Sequence, residues 1–501
     1  MEKSIIIIGG GLTGLAAGCY GRMNGYKTSI FEMHKIAGGV CTGWKRKGYT
    51  IDGAMNWLVG TKQGTNFYKF WEELGATQMW QVFSHDRLTS IEDESGKAFT
   101  MYSDIDRLEQ QMMEFAPEDE AVIRKYVKAV RDCARFDMPV EKPQELYGLL
   151  DSIKMVTMLP SLMFARKWGK ISTVDFTKRI KNPFLRKVVG MGSEGDFPDM
   201  PMLAMLMTLA WLNQKNAGYL IGGALALVGY IQQRFLDLGG ELHFNTRVEK
   251  ILVENDKAVG IRLVDGTEHR GDVVISAADG RTTIFDMLGG KYIDDKIRGY
   301  YDNPQLFPPL VYVGLGVARK FDDVPPSVGG LTFPLEEPIT IAGREHKELT
   351  ALIYNFDPTL APEGKTVVKV QFNTDYDYWE KLYKEPERYK AEKEKIADLV
   401  VALLDKRFSG LAEQVEMRDI ATPMTWVRYT GNWQGSYEGW MITTGNMMAQ
   451  MSKTLPGLDN FYMAGQWVNP GGGMPTAAMS GNHTIQLICA RDKKKFITSK
   501  P

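Results

Sequence analysis

Cysteine, histidine and net charge are all scarce in this sequence, and each shortage excludes a class of protein. The four cysteines among 501 residues are widely separated and form no C-x-x-C pair. This argues against a zinc site or a disulfide framework and favours a reducing compartment. The six histidines form no pattern, and the sequence places no partner for His34 or His85. The formal net charge is −1, so a nucleic-acid partner is not expected.

Long apolar runs are missing as well. The four isoleucines Ile5–Ile8 are too few for a signal-peptide core or a membrane span. Two segments rich in methionine and leucine, residues 155–170 and 199–213, are predicted to be buried helices. The alternatives are the wall of an apolar tunnel and a contact with a membrane surface. We therefore expect a cytoplasmic protein without a membrane-spanning segment, with peripheral membrane association as an open alternative.

The N-terminus does contain a strand–turn–helix–strand pattern that ends on an acid. Its parts are an apolar strand at 5–8, the motif Gly9-x-Gly11-x-x-Gly14, a helix at 12–24, a strand at 26–31 and Glu32. Gly9 makes the tight turn, Gly11 lets the backbone approach a pyrophosphate, and Gly14 lets helix and strand pack closely. Glu32 stands where a carboxylate binds the adenosine ribose hydroxyls, which disfavours NADP. The pattern predicts a site for NAD or FAD.

A second glycine-rich turn, within the stretch GQWVNPGGGMPTAAMSG (465–481), stands near the end of the chain. It follows a predicted last strand at 461–464 and opens a helix at Met474, with Pro475 suited to the first helical turn. A helix N-terminus stabilises negative charge, and a reduced flavin carries such charge on its pyrimidine edge. The turn therefore predicts close contact between backbone and a flat ring.

The middle of the chain predicts a helix followed by a meander that returns to the nucleotide-binding sheet. The helix is expected at 225–238 and the strands at 241–245, 248–254, 258–264 and 268–277. Further strands are expected at 310–318 and 366–372, and a solvated helix at 380–395. No second dinucleotide motif for NAD(P)H is present.

These motifs together resemble the phytoene desaturase, carotenoid isomerase and retinol saturase family, which is similar to amine oxidases in fold. The resemblance rests on the N-terminal motif, the pair Gly38-Gly39, the Y-x-I-D strand at 49–52 and the C-terminal stretch. It implies a noncovalent FAD and a long apolar isoprenoid or polyene substrate, with a loop over the flavin that offers Trp433 and Tyr437 as substrate-lining candidates. The implied FAD-binding residues are Gly9, Gly11, Leu12, Thr13, Gly14, Glu32, Met33, Gly39, Val40, Met55, Val248, Gly465, Gln466, Met474, Pro475 and Thr476.

The expected architecture is α/β, with a Rossmann-like FAD domain built from separated segments and interleaved with an α+β substrate domain. The FAD domain is assigned to residues 1–75, 216–290 and 421–501, and the substrate domain to 76–215 and 291–420. Cys41 lies near the flavin region, where a packed thiol is favoured over a covalent flavin link.

The predicted function is an FAD-dependent desaturase, saturase or isomerase acting on carbon–carbon bonds by flavin hydride transfer. The substrate would reach the flavin through the methionine-rich region, and oxygen or a quinone would exchange the electrons. No catalytic side chain can be assigned, and none is expected to be an essential proton donor. A flavin amine oxidase and a non-enzymatic prenyl-binding escort protein of related fold are the alternatives.

Overall fold

The computed structural model describes residues 2–136, 138–149, 151, 156–191, 197–447 and 451–501. The strands of this part of the chain form five sheets. In chain order they are β1 (Ser4–Ile8), β2 (Lys27–Phe31), β3 (Gly43–Arg46), β4 (Tyr49–Asp52), β5 (Leu58–Val59), β6 (Val82–Phe83), β7 (Arg87–Glu92), β8 (Ala98–Tyr102), β9 (Ala217–Leu220), β10 (Glu241–His243), β11 (Val248–Glu254), β12 (Lys257–Leu263), β13 (Glu268–Arg270), β14 (Val273–Ser276), β15 (Leu310–Val317), β16 (Leu331–Ile341), β17 (Arg344–Ile353), β18 (Thr366–Asn373), β19 (Val415–Ala421) and β20 (Phe461–Met463).

The described helices fall between and after these strands. They are α1 (Leu12–Met23), α2 (Asn66–Glu73), α3 (Ile105–Phe115), α4 (Glu120–Cys133), α5 (Leu159–Gly169), α6 (Thr173–Thr177), α7 (Pro183–Gly190), α8 (Met202–Asn213), α9 (Gly223–Asp237), α10 (Asp295–Asp302), α11 (Tyr376–Tyr383), α12 (Pro386–Arg407), α13 (Leu411–Gln414), α14 (Pro423–Thr430) and α15 (Met474–Arg491). A π-helical turn spans Thr282–Met287, and short 3-10 turns span Pro117–Asp119, Gln144–Leu146 and Trp433–Gly435.

A parallel five-stranded sheet in the order β10–β2–β1–β14–β20 contains the N-terminal motif. β1 lies at its centre, where Ile5 and Ile7 are fully buried and Ile6 and Ile8 are nearly so. A strand covered on both faces needs apolar residues at every position, which explains the run of isoleucines. The predicted α/β class with a Rossmann-like sheet is confirmed.

Helix α1 packs closely against both α9 and α15, and glycines permit these contacts. A Cβ at Gly18 would lie 2.6 Å from the ring of Phe235 in α9. A Cβ at Gly481 in α15 would lie 2.7 Å from the backbone nitrogen of Ala17 in α1. Because neither glycine carries a side chain, α1 packs directly on the Phe235 ring of α9 and on the backbone of α15.

The meander is present, but its last strand was predicted wrongly. β11, β12 and β13 form an antiparallel sheet, whereas β14 leaves it and pairs in parallel with β1. The predicted single strand at 268–277 is therefore two strands. Asp272 marks the change of partner, since its carboxylate accepts hydrogen bonds from the backbone N–H and the hydroxyl of Ser4, at 2.8 and 2.9 Å.

A seven-stranded sheet in the order β19–β15–β18–β17–β16–β7–β8 lies across from the parallel sheet. The strands predicted at 310–318 and 366–372 are its antiparallel neighbours β15 and β18. The charged helix predicted at 380–395 is divided between α11 and α12. Pro386 explains the division, because a proline fits the first turn of a helix but not its interior.

The division of the chain into two discontinuous domains stays a prediction, although the strands follow it closely. The strands of the parallel sheet fall within residues 1–75, 216–290 and 421–501. Those of the seven-stranded sheet fall within 76–215 and 291–420, apart from Ala421 at the end of β19.

The two methionine-rich segments differ in burial. In α8, Leu206 and Leu209 are buried in the core, as predicted. In α5, Leu159 and Met163 are 52% and 63% exposed, so the prediction of a buried helix is wrong there. Met155, where the predicted access region begins, lies outside the described residues. Within the described residues, no helix combines the length and the apolar composition that crossing a bilayer requires.

Candidate cofactor and substrate site

A cavity of about 1090 Å³ opens where the strands of the parallel sheet end and reaches the seven-stranded sheet. Ile8 and Phe31, the last residues of β1 and β2, line it together with Ala277 and Ala464, which follow β14 and β20. The carboxyl edge of the strands is where open α/β sheets bind their ligands.

The N-terminal glycine turn has the geometry that its sequence predicts. Gly9 has a φ of +97°, and a Cβ at this position would lie 3.1 Å from the carbonyl oxygen of Ala277. A Cβ at Gly14 would overlap the carbonyl oxygen of Gly9. The turn leads to Gly11 and the first residues of α1, where no side chain caps the free backbone N–H groups. An uncapped helix N-terminus that faces a cavity favours an anionic group there.

Glu32 lies beside this turn with both carboxylate oxygens engaged. Oε2 accepts a hydrogen bond from the Gly10 N–H at 2.7 Å, and Oε1 accepts one from the His34 N–H at 2.7 Å. Burial raises the pKa of this carboxyl, and the backbone hydrogen bonds oppose the rise. Each oxygen retains a lone pair, so the carboxylate can also accept hydrogen bonds from a ligand's hydroxyl groups.

The C-terminal turn reaches the same cavity. Gly473 has a φ of +84°, and α15 begins after it without a side-chain cap, with Pro475 in its first turn. The backbone of Gly465 is held in position by α15, because its N–H donates to the hydroxyl of Ser480 at 2.8 Å. A second uncapped helix N-terminus is thus directed at the cavity, as the sequence predicts.

Most of the sequence-predicted site residues line the cavity, but three do not. Met55 is fully buried, and its N–H donates to Asp52 at 2.7 Å. Gly14 packs beneath the turn, and Trp433 lies in an aromatic cluster with Tyr301 and other rings rather than on the wall. Lining the wall are Gly9, Gly11, Leu12, Thr13, Glu32, Met33, Gly39, Val40, Val248, Gly465, Gln466, Met474, Pro475, Thr476 and Tyr437.

The structure adds polar wall residues that the sequence did not reveal, chiefly Arg247, Asp279, Tyr312 and Glu438. The carboxylate of Asp279 accepts hydrogen bonds from the N–H groups of Thr282 and Trp433, at 2.8 and 2.9 Å. Burial raises the pKa of Asp279 to about 6, against these hydrogen bonds. No motif points to these residues, since each reaches the cavity through tertiary packing.

A buried lysine stands behind the wall formed by the seven-stranded sheet. The ammonium of Lys369 donates to the backbone oxygen of Asp52 at 3.0 Å and to the side-chain oxygen of Asn56 at 3.4 Å. It lies 5.5 Å from the ring centre of Tyr312. Burial lowers the pKa of Lys369 to about 8, and the charge of Asp52 opposes the decrease.

Asp52, the acid of the Y-x-I-D strand, has a structural role. Its carboxylate accepts backbone hydrogen bonds from Ala54 and Met55 and, through Oδ2, from Ala224 at 2.7 Å. Ala224 lies in the first turn of α9, where an acid stabilises the helix terminus. The acid therefore joins β4 to α9.

Cys41 lines the cavity, but its thiol is buried and its pKa is raised by burial, with a further contribution from Asp52. A neutral thiol is a poor nucleophile, and among the described residues no cation lowers the pKa of Cys41. A packed thiol is therefore the simplest description of this residue.

The fold and the site define an α/β protein with a large cavity at the carboxyl edge of its parallel sheet. More specifically, the chain belongs to the flavin containing amine oxidoreductase family, whose model matches residues 12–489. The chain is 25% identical to a chloroplastic prolycopene isomerase of Daucus carota, over 98% of this chain and 79% of that protein. It is also 25% identical to a neurosporene-forming phytoene desaturase of Rhodobacter capsulatus, over 96% and 93% of the two chains.

A solved oxidoreductase from Methanosarcina mazei has the same fold, with a TM-score of 0.61 and 17% identity over 96% of this chain and 100% of that one. Family membership and these relatives mark the chain as a flavin-dependent enzyme, which confirms the predicted class and excludes the non-enzymatic alternative. The two uncapped helix termini and the two glycine turns fit such a cofactor, because they offer free backbone N–H groups to its anionic parts.

Proposed function

We propose that the protein is an oxidoreductase that binds FAD noncovalently and acts on carbon–carbon bonds of a long apolar isoprenoid or polyene. The observation that carries the proposal is the cavity, which joins both glycine turns to the seven-stranded sheet. Its volume of about 1090 Å³ exceeds the range of roughly 300–1,000 Å³ that is typical of small-molecule sites. A dinucleotide bound at the two glycine turns would not account for the part of the cavity beside the seven-stranded sheet.

Many apolar side chains line the cavity, together with polar ones such as Asn56, Gln371 and Arg428. Among the apolar ones are Val40, Trp57, Val59, Leu88, Met191, Leu310, Val328, Met424 and Trp426. A hydrocarbon chain gains affinity from such a wall without needing hydrogen-bond partners. The relatives named prolycopene isomerase and phytoene desaturase act on substrates of this kind.

In the proposed reaction, the bound flavin supplies hydride transfer. The residues of the chain hold and orient it. The N-terminus of α1 would hold the pyrophosphate, Glu32 would accept hydrogen bonds from the ribose hydroxyls, and the N-terminus of α15 would stabilise negative charge on the reduced ring. The apolar wall excludes water and aligns the substrate. Oxygen or a quinone is the proposed electron partner.

The test is reconstitution of purified protein with FAD, followed by a substrate panel. The expected result is one FAD per chain, released on denaturation, and a change of flavin oxidation state with detergent-dispersed polyenes under anaerobic conditions. A protein that takes up no FAD would contradict the cofactor assignment. Rapid flavin reduction by small amines, with no response to any polyene, would favour the amine oxidase alternative, which the family name and the carboxyl of Glu438 on the cavity wall keep open.

A membrane surface is the proposed place of substrate pickup. Leu149 and Val156 are 87% and 69% exposed, and Leu159 and Met163 are exposed apolar side chains of α5. Arg166, Lys167 and Lys170 are exposed at the end of the same helix, and basic residues beside apolar ones favour anionic membranes.

The membrane proposal is tested by flotation with anionic vesicles. The double variant Leu159→Gln/Met163→Gln should reduce flotation. Leu236→Gln, which changes an exposed leucine on α9, is the control and should float as the unaltered protein does. Failure of the unaltered protein to float would contradict the proposal.

A further inference from the structure

Glu438 lies on the cavity wall directly against the turn that begins α15. A Cβ at Gly472 would lie 2.6 Å from the Cβ of Glu438, and one at Gly473 would lie 4.0 Å from its Oε1. The N–H of Gly471 donates to the carbonyl of Trp440, which ties the two segments together. The carboxyl group thus lies beside the backbone that is proposed to contact the flavin ring.

No hydrogen bond or ion pair engages the carboxyl of Glu438 among the described residues, in contrast to Glu32 and Asp279, two cavity acids whose pKa is also raised by burial. Glu32 and Asp279 each accept two backbone N–H groups. Leaving a carboxyl unpaired away from bulk water is costly, and such groups concentrate at functional sites. The surface that Glu438 does expose faces the cavity.

The surroundings of Glu438 make both protonation states accessible near neutrality. Burial raises the pKa of Glu438 to about 7, and no charged neighbour contributes to the rise. Tyr312 faces it from β15, and burial holds the pKa of that phenol far above neutrality, so it stays protonated. Lys369 and Asp52 lie behind Tyr312. Asp279 stands elsewhere on the wall, where each of its oxygens accepts one backbone N–H.

We propose that Glu438 is the catalytic residue that exchanges the proton accompanying hydride transfer at the substrate's carbon–carbon bond. This inference rests on the proposed function. In desaturation, one hydrogen leaves as hydride to the flavin with both electrons of its C–H bond. The electron pair of the C–H bond on the adjacent carbon forms the π bond, and its proton goes to the carboxylate of Glu438. Saturation reverses both transfers, with protonated Glu438 supplying the proton.

This assignment departs from the expectation that no side chain is an essential proton donor. That expectation came from the absence of a placed acid or base in the sequence. A carboxyl with a pKa near the working pH is suited to general acid–base catalysis, which contributes typically 10²–10⁴-fold to a rate. An apolar hydrocarbon offers Glu438 no hydrogen bond, so substrate recognition does not account for the residue.

The first experiment reads the protonation of Glu438 without turnover. Infrared pH-difference spectra of the flavoprotein should contain a protonated-carboxyl band that disappears with a midpoint near pH 7. The band should be absent in Glu438→Gln and retained in Asp279→Asn, which removes a cavity carboxyl whose pKa burial raises to about 6. A spectrum that is the same in Glu438→Gln and the unaltered protein would overturn the assignment.

The second experiment is single-turnover flavin reduction or reoxidation with a polyene that reacts. Glu438→Gln should slow this step by 10²–10⁴-fold and remove its pH dependence near 7, while the Kd values for FAD and polyene change less than threefold. Glu438→Asp, which keeps the carboxyl, should recover part of the rate. An unchanged rate and pH profile in Glu438→Gln would contradict the proposal.

The two experiments separate failure of the inference from failure of the proposed function. If no polyene reacts with the unaltered protein, the proposed function fails, whatever the infrared band shows. If amines react instead and Glu438→Gln mainly raises their Kd, then Glu438 pairs with an ammonium group and the proton-exchange proposal is wrong.

Discussion

Replacing Gly14 with alanine should disrupt the N-terminal turn more than its small size suggests. The added Cβ would overlap the carbonyl oxygen of Gly9, which is backbone and cannot rotate away. The overlap requires α1 and the turn to separate by about 1 Å, a displacement large enough to impair a positioned site. Helix α1 has no room to move away from the turn, because Gly18 packs on Phe235 of α9 and Gly481 of α15 packs on Ala17.

Two magnitudes follow from this geometry. Overpacking costs roughly 1–3 kcal/mol in the free energy of unfolding, and the higher helix propensity of alanine recovers up to about 1 kcal/mol. Displacing the N-terminus of α1 removes up to about 2 kcal/mol of stabilisation from a bound anion. The Kd for FAD should therefore rise by up to roughly 30-fold.

The assay is urea unfolding of the apoprotein together with fluorescence titration of FAD. Gly229→Ala is the matched control, because this glycine lies on the exposed side of α9 and its Cβ would meet no atom within 4 Å. That variant should keep the Kd and gain up to about 1 kcal/mol of stability. Wild-type affinity and stability in Gly14→Ala would refute the argument that this turn holds the cofactor.

Three further predictions concern Glu32, Cys41 and Lys369. Glu32→Ala should raise the Kd for FAD by roughly 10–100-fold, since it removes hydrogen bonds to a charged group; an unchanged titration would contradict the assignment. Cys41→Ser should keep the yellow colour, and acid should release the flavin from both proteins; flavin that stays attached to the unaltered chain would contradict noncovalent binding. For Lys369, the folded pKa of about 8 lies below the usual 10.5, so the protein should gain about 2 kcal/mol from this group as pH rises from 7 to 9.5. Lys369→Met should lack that gain when its free energy of unfolding is measured in urea, and Asp52 keeps three backbone N–H donors in the variant. If the variant and the unaltered protein showed the same pH dependence of stability, the ammonium would not be desolvated.

The parts of the fold that sequence predicts correctly are those that local chemistry dictates. The isoleucines of β1 can only form a strand covered on both faces, and Gly9 takes a φ of +97° that other residues rarely adopt. Pro475 in the first turn of α15 and the glycines before it are also predictable from local chemistry. Proline fits the first turn of a helix, and glycine readily adopts a positive φ. These features identify the two turns without any knowledge of tertiary packing.

What the sequence does not reveal depends on partners that are far along the chain. Residues 268–277 are predicted as one strand, but β14 takes β1 as its partner, more than 260 residues away. Asp52 has the appearance of a site residue, and only the contact with Ala224 shows that it stabilises a helix. Glu438 is a single acid in an aromatic loop, and its burial arises because the turn at Gly472 folds against it.

The positions of Glu438 and α15 also link proton and electron in the proposed reaction. The uncapped terminus after Gly473 stabilises negative charge, and both a reduced flavin and an ionised Glu438 would place such charge beside it. One helix terminus supplies only about half an elementary positive charge, so it cannot compensate both. Flavin reduction should therefore raise the pKa of Glu438, and ionisation of Glu438 should disfavour the reduced flavin. A carboxyl that binds a proton when the flavin gains electrons is the arrangement that hydrogen removal from adjacent carbons requires, because each turnover delivers one hydride and one proton to the same place.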